Sequence, residues 1–225
     1  VWENYANAWR EAKIGELFLT SVIVTAATMA ILLPIGSMAA YIFAKYMFPG
    51  SKALFGTFLG GMMFPNFLAI VPLFLLMNQL HLQDTKHGLV IVYVAYSLSF
   101  TIFIMTGFFQ SVPDELAEAA ALDCCSDLRF LWSVVIPLSK PILAVLVLMY
   151  AVGQWNAYFD ALLYLKSADL QPLQLVLRSI LILNTSTSGT MDAVTVFAVD
   201  SQAHQMAPLL NVGKSRGELN DRIRR

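Results

Sequence analysis

The side chains best suited to chemistry or binding are concentrated in two stretches of the chain. The first, Ser111–Pro137, holds the adjacent Cys124 and Cys125 and six charged residues, of which only Arg129 is basic. The second, residues 154–160, combines amide, indole and carboxylate groups. Neither stretch has the local spacing of a nucleophile with its base, so we predict binding surfaces and no catalytic residue.

Metal and nucleotide sites are not predicted either. His81 and His87 flank Asp84, but no third and fourth ligand follow at a usual zinc spacing. Gly213-Lys214-Ser215 is similar to the end of a phosphate-binding loop, yet Pro208 stands where the earlier glycine is required. We therefore expect no cofactor bound by this chain.

The elements that carry these stretches are predicted from composition. The 225 residues are 58% hydrophobic and 13% charged with a net charge of −1, which disfavours a soluble domain and a nucleic-acid partner. Long uncharged runs predict an all-α polytopic membrane helix bundle, in contact with lipid. We expect a transmembrane domain over residues 1–165, led by an interfacial segment at 1–16, and an atypical, partly disordered segment over 166–225. The predicted spans are about 17–44, 53–77, 88–110 and 141–165.

Between the third and fourth spans, the acidic loop is predicted to form a helix-turn-helix. Ser111 and Asp114 are spaced to start a helix that ends near Leu122, and Ser126 is placed to cap a second one. Helical spacing then predicts one apolar face, formed by Leu128, Leu131, Trp132 and Val135. The net acidity of the loop favours a basic partner surface, although a solvated connection fits the same residues.

A longer pattern in this loop points to a family. Glu118-Ala119-Ala120, then three residues, then Cys124, then nine residues and Val134-Val135-Ile136-Pro137 resembles the E-A-A-x3-G-x9-I-x-L-P signature of permease subunits of binding-protein-dependent ABC importers. The resemblance implies the ABC importer permease fold and a cytoplasmic coupling loop that docks on an ATPase subunit. The docking residues that it implies are Glu118, Ala119, Ala120, Asp123, Cys124 and Pro137.

The resemblance also implies a substrate class and partners. The segment GQWNAYF is similar to the W-N motif of sugar-importing permeases, which places Trp155, Asn156 and Asp160 along the substrate pathway. Carbohydrate import would require a second permease subunit, a dimer of ABC ATPases that binds ATP and Mg²⁺, and an extracytoplasmic solute-binding protein. The expected location is the plasma membrane of a bacterium or archaeon.

Three points leave alternatives open. Cys124 replaces the glycine of the signature, and a left-handed conformation would cost it about 1–2 kcal/mol, so either the turn is built differently or coupling is weakened. Only four spans are visible where the family usually has six, so the first and last helices are expected to be lacking. The alternatives are therefore an ion-coupled secondary carrier or channel using Asp160, or a truncated, non-functional remnant. Lysines and arginines are split four against five across the predicted membrane, which gives no orientation.

Overall fold

The computed structural model describes residues 13–167 and 170–186, and every regular element in these ranges is helical. This confirms the predicted all-α class. The α-helices are α1 (Ile14–Lys45), α2 (Ser51–Met63), α3 (Asn66–Gln79), α4 (Lys86–Gln110), α5 (Asp114–Leu122), α6 (Asp127–Phe130), α7 (Ile136–Leu138), α8 (Lys140–Asn156), α9 (Phe159–Tyr164) and α10 (Leu173–Ser186), with a π-helix at Leu131–Val135 between α6 and α7.

Two of these helices, α1 and α4, are individually long and apolar enough to cross a membrane. Two bent pairs bring the number to four if each counts as one span. Helices α2 and α3 meet at 105°, and the helical segment Asp127–Leu138 meets α8 at 76°. The run predicted as the fourth span is divided between two helices, because α8 ends at Asn156 and α9 begins only at Phe159.

Two prolines in the apolar runs have opposite effects on helix continuity. Pro34 lies inside α1, which continues through it without a break. Phe64, in contrast, precedes Pro65 and is extended, with a ψ of 126°, and Pro65 has a ψ of 122°. A residue before proline is pushed out of helical space, and here the chain breaks there. The run predicted as the second span thus consists of two helices at a sharp angle.

The described residues divide into two compact units, one of residues 23–156 and one of residues 13–22 with 157–167 and 170–186. The core of the first unit joins residues from α1, α4, the π-helix region and α8. Its buried members are Ala40, Tyr41, Met105, Phe109, Phe130, Leu131, Val135 and Leu146. Helices α1 and α4 also approach closely at Gly36, where a Cβ atom would lie 2.6 Å from Thr101 Cγ2.

The described part of the second unit contains the start of α1, α9 and α10. The Leu173 backbone N–H, at the start of α10, donates to Ser21 Oγ at 2.9 Å, and the Arg178 guanidinium lies 4.1 Å from the centre of the Tyr158 ring. Helix α10 extends to Ser186, so part of the segment predicted to be atypical and partly disordered is helical. The predictions for residues 1–12 and for the tail from residue 187 lie outside the described residues.

Candidate functional site

The acidic loop between α4 and α8 forms two short helices joined by a tight turn. Helix α5 ends with two reversed hydrogen bonds: the Cys124 N–H donates to the Ala121 carbonyl at 3.0 Å and the Cys125 N–H to the Ala120 carbonyl at 2.9 Å. This pairing is the Schellman motif, which satisfies the last carbonyls of a helix. The helix-turn-helix predicted from the sequence is therefore present.

Cys124 occupies the left-handed position of that turn, with a φ of 54°. This conformation favours glycine because a Cβ atom is crowded by the backbone. Of the two possibilities left open by the sequence, the turn is thus not built differently; it keeps the glycine-like conformation with a cysteine in it. The side chain of Cys124 is exposed and that of Cys125 is half-buried, and both thiols are free.

The predicted caps of these helices are wrong in detail. Helix α5 begins at Asp114 after Pro113, and the Ser111 hydroxyl donates instead to the Phe108 carbonyl at 2.6 Å. Ser126 is the N-cap residue of α6, but its side chain makes no capping hydrogen bond. Proline fixes the entry to α5 without any side-chain cap, because its φ is already near the helical value.

The single apolar face predicted for the second helix is also wrong. Leu131 and Val135 are fully buried in the core together with Phe130, whereas Leu128 and Trp132 are 59% and 45% exposed. For Trp132 and Val135 the reason is the π-helix at Leu131–Val135, whose i→i+5 hydrogen bonds change the angular spacing of the side chains. Residues three apart, which share a face in an α-helix, point in different directions here.

The residues predicted to dock on a partner are mostly exposed. Glu118, Ala119, Asp123, Cys124 and Pro137 are exposed, and Ala120 is half-buried against the core. Apolar side chains are exposed on the same loop, at Leu116 (41%), Leu122 (86%) and Leu128 (59%). The loop thus exposes both carboxylates and leucines on its outer side, while its inner side packs against the helix bundle.

The end of α1 contacts this loop directly. Lys45 Nζ lies 2.6 Å from Asp114 Oδ1 and donates to the Val112 carbonyl at 2.6 Å. The next residue, Tyr46, interacts with Asp127: its partial burial, and then that carboxylate, raise the pKa of the Tyr46 hydroxyl to about 12. Both contacts bridge residues far apart in the chain, and the sequence contained no signal for them.

The predicted pathway residues lie at the end of α8 and the start of α9. Trp155 is half-buried, and Asn156 is exposed with its Nδ2 donating to the Val152 carbonyl at 2.9 Å. Asp160 is half-buried in the first turn of α9, in the other compact unit. The roles assigned to these three residues remain predictions, and no observation favours the use of Asp160 for ion coupling.

A polar cluster lies between α4 and α8, and it centres on Tyr150. Its hydroxyl lies 2.9 Å from both Thr101 Oγ1 and the Ser97 carbonyl. Gln154, one turn further along α8, has both amide atoms buried without a hydrogen-bond partner in the described structure. The spacing i, i+4 in two neighbouring spans was the available signal.

Similar proteins place these observations in a family. The profile of the "Binding-protein-dependent transport system inner membrane component" family matches residues 32–199. The chain is 41% identical over 157 residues to the diacetylchitobiose uptake system permease protein of Streptomyces coelicolor, covering 70% of this chain and 52% of that protein. It is 31% identical over 173 residues to the melibiose/raffinose/stachyose import permease protein of Bacillus subtilis, covering 76% and 63%. The chain thus spans between half and two thirds of these relatives.

Solved structures agree with the sequence comparison. The crystal structure of a bacterial ABC transporter involved in the import of the acidic polysaccharide alginate matches with a TM-score of 0.69 and 26% identity. The match covers 91% of this chain and 74% of that one. Since the family profile covers most of the chain and the helical fold is shared, this chain belongs to the family of inner-membrane components of binding-protein-dependent transport systems.

Proposed function

We propose that this chain is the membrane-spanning permease subunit of an ATP-driven ABC importer that translocates a sugar or oligosaccharide. An extracytoplasmic binding protein would deliver the substrate, and a second permease would complete the pathway. A dimer of ATPases, which bind ATP and Mg²⁺, would hydrolyse nucleotide. The chain itself would supply the path and the mechanical connection, so the free energy enters from the partner subunits.

The proposal rests on one observation: the acidic helix α5 is exposed on one side, and its other side packs against the core of the helix bundle. Ala117, Ala120 and Cys125 contact the core that contains Phe130 and Leu131. A partner that grips the exposed side of α5 would therefore pull on the helix bundle, because packed interiors transmit displacement rather than absorb it. A loop that only connected spans would need no such anchorage.

The carbohydrate part of the proposal is supported by the relatives. Two of them are described as permeases for diacetylchitobiose and for melibiose, raffinose and stachyose. The exposed Asn156 amide and the half-buried Trp155 ring next to it offer the two kinds of group that bind sugars, a hydrogen-bonding amide and an aromatic face. Trp155, Asn156 and Asp160 remain our candidates for the pathway.

The test is co-purification of the ATPase with the permease. Glu118→Arg reverses a charge at the centre of the exposed surface of α5, where no described contact of the fold depends on it. We expect normal membrane insertion but loss of the co-expressed ATPase from the purified complex. Lys52→Glu is the matched control, because it reverses an exposed charge at the start of α2. Retention of the ATPase by Glu118→Arg at the wild-type yield would refute the docking assignment.

A further inference from the structure

A single lysine, Lys45, connects the end of α1 to α5, the first helix of the acidic loop (called the docking loop below). The Lys45 side chain is only 10% exposed, although it carries a charge, whereas Asp114 is 81% exposed. A nearly buried ammonium group needs close partners, and Lys45 has two: the Asp114 carboxylate and the Val112 carbonyl, each at 2.6 Å. The carbonyl belongs to the backbone just before α5, so the contact holds the main chain as well as a mobile side chain.

The same end of α1 is fastened to the second helix of the loop by two tyrosines. The ring of Tyr41, which is buried, lies 6.4 Å from the ring of Phe130 at the end of α6. Tyr46 lies 6.0 Å from Tyr41 between ring centres, and its hydroxyl interacts with the carboxylate of Asp127 in the first turn of α6. Lys45 and the tyrosines therefore engage α5 and α6 separately, on the two sides of the Cys124 turn.

We propose that Tyr41, Lys45 and Tyr46, called here the α1 clamp, transmit the movement of the docking loop to the membrane spans. This inference rests on the proposed function, since it concerns how an ATPase bound at α5 would act on the bundle. The clamp ends a helix of 32 residues that runs without a break to Ile14. Within the unit of residues 23–156, this continuous helix can carry a displacement away from the loop along its length.

The clamp is the breakable route between loop and spans. Helix α4 enters the loop through the covalent connection Ser111–Pro113, and α8 follows α7 directly, so a point substitution cannot disconnect either. Helix α1 is not continuous with the loop: among the described residues, Lys45 binds groups more than 60 positions away in the chain, and Ala40 and Tyr41 pack with Phe130. Removal of the Lys45 ammonium should therefore leave the docking surface in place while weakening the link between α1 and α5.

Hydrogen–deuterium exchange can separate binding from transmission. The full chain is co-purified with its second permease and ATPases in lipid nanodiscs, and exchange is compared without nucleotide and with Mg-ATP plus vanadate. In the wild type we expect nucleotide to change exchange both in loop peptides and in α1 peptides. In Lys45→Met the loop response persists, but the α1 response to nucleotide is largely lost.

Two variants distinguish transmission from a simple loss of packing. Lys45→Arg retains a charged donor and should restore the α1 response, while Lys52→Met removes an exposed lysine nearby and should change nothing. If Lys45→Met fails to assemble, Tyr46→Phe decides: it removes only the Tyr46 hydroxyl, which interacts with Asp127 and Tyr41, and the α1 response should fall again.

The outcomes also separate this inference from the function on which it rests. The clamp is refuted if assembled Lys45→Met shows an α1 response equal to the wild type. If Lys45→Met does not assemble, the same result in Tyr46→Phe refutes it. In either case the importer assignment stays intact. Failure of the wild-type chain to bring down any ATPase would overturn the importer assignment itself, and the clamp with it.

Discussion

The strained turn at Cys124 allows a quantitative test of the loop geometry. Cys124 holds a φ of 54° while its side chain is exposed, so replacing it with glycine should relieve strain and remove little buried surface. Relief of a left-handed conformation is worth about 1–2 kcal/mol. The greater freedom of glycine in the unfolded chain takes back about 0.4–1 kcal/mol. Cys124→Gly should therefore raise the free energy of unfolding by roughly 0.8 kcal/mol, the difference of these two ranges at their centres.

The measurement is thermal unfolding of the detergent-purified chain, followed by tryptophan fluorescence under reducing conditions. For a domain of this size, roughly 0.8 kcal/mol corresponds to a rise in Tm of about 2–3 °C. Cys124→Ala is the matched control, because it removes the thiol but keeps the Cβ atom and hence the strain. Its Tm should stay at the wild-type value.

A second control uses the neighbouring cysteine. Cys125 is half-buried, packs against the core and is not among the residues with positive φ. Cys125→Gly should therefore lower the Tm, because it removes packing and gains no relief. If Cys124→Gly melts at or below the wild type, the turn does not store the strain inferred here; if Cys124→Ala rises equally, the thiol rather than the backbone is responsible.

Two further predictions concern packing in the same unit. Gly36→Ala should lower the Tm, because its Cβ would lie 2.6 Å from Thr101 Cγ2 and overpacking costs about 1–3 kcal/mol; Gly107→Ala, with open space around its Cβ, should melt at or above the wild type, and equal shifts in both would contradict the close approach. Leu131→Ala, at a fully buried position, should cost about 2–5 kcal/mol, whereas Leu122→Ala, 86% exposed, should leave the Tm unchanged and weaken ATPase co-purification. Tm and pull-down yield of each variant are the readouts, and a destabilised Leu122→Ala would show that this leucine is part of the core.

The spans were predictable where length alone decides. The uncharged runs at 17–44 and 88–110 became α1 and α4 with ends within three residues, because a bilayer-length apolar run has no other stable form in a membrane. The break before Pro65 also had a local signal in the sequence. The break at residues 157–158 had none, since neither a proline nor a glycine stands there. Breaks without such residues depend on packing, which a single sequence does not record.

The docking loop shows the same division between local and non-local information. The turn at Cys124 was expected at the right residue, because the signature and the end of the helical pattern coincide there. The burial of Leu131 with Phe130 was not, because it depends on the π-helix and on residues of α1 and α4 that fill the space beside it. Lys45 and Asp114 are separated by 69 positions, and nothing in either neighbourhood marks them as partners. A pattern can thus locate a docking surface, whereas the contacts that connect it to the spans appear only in the folded chain.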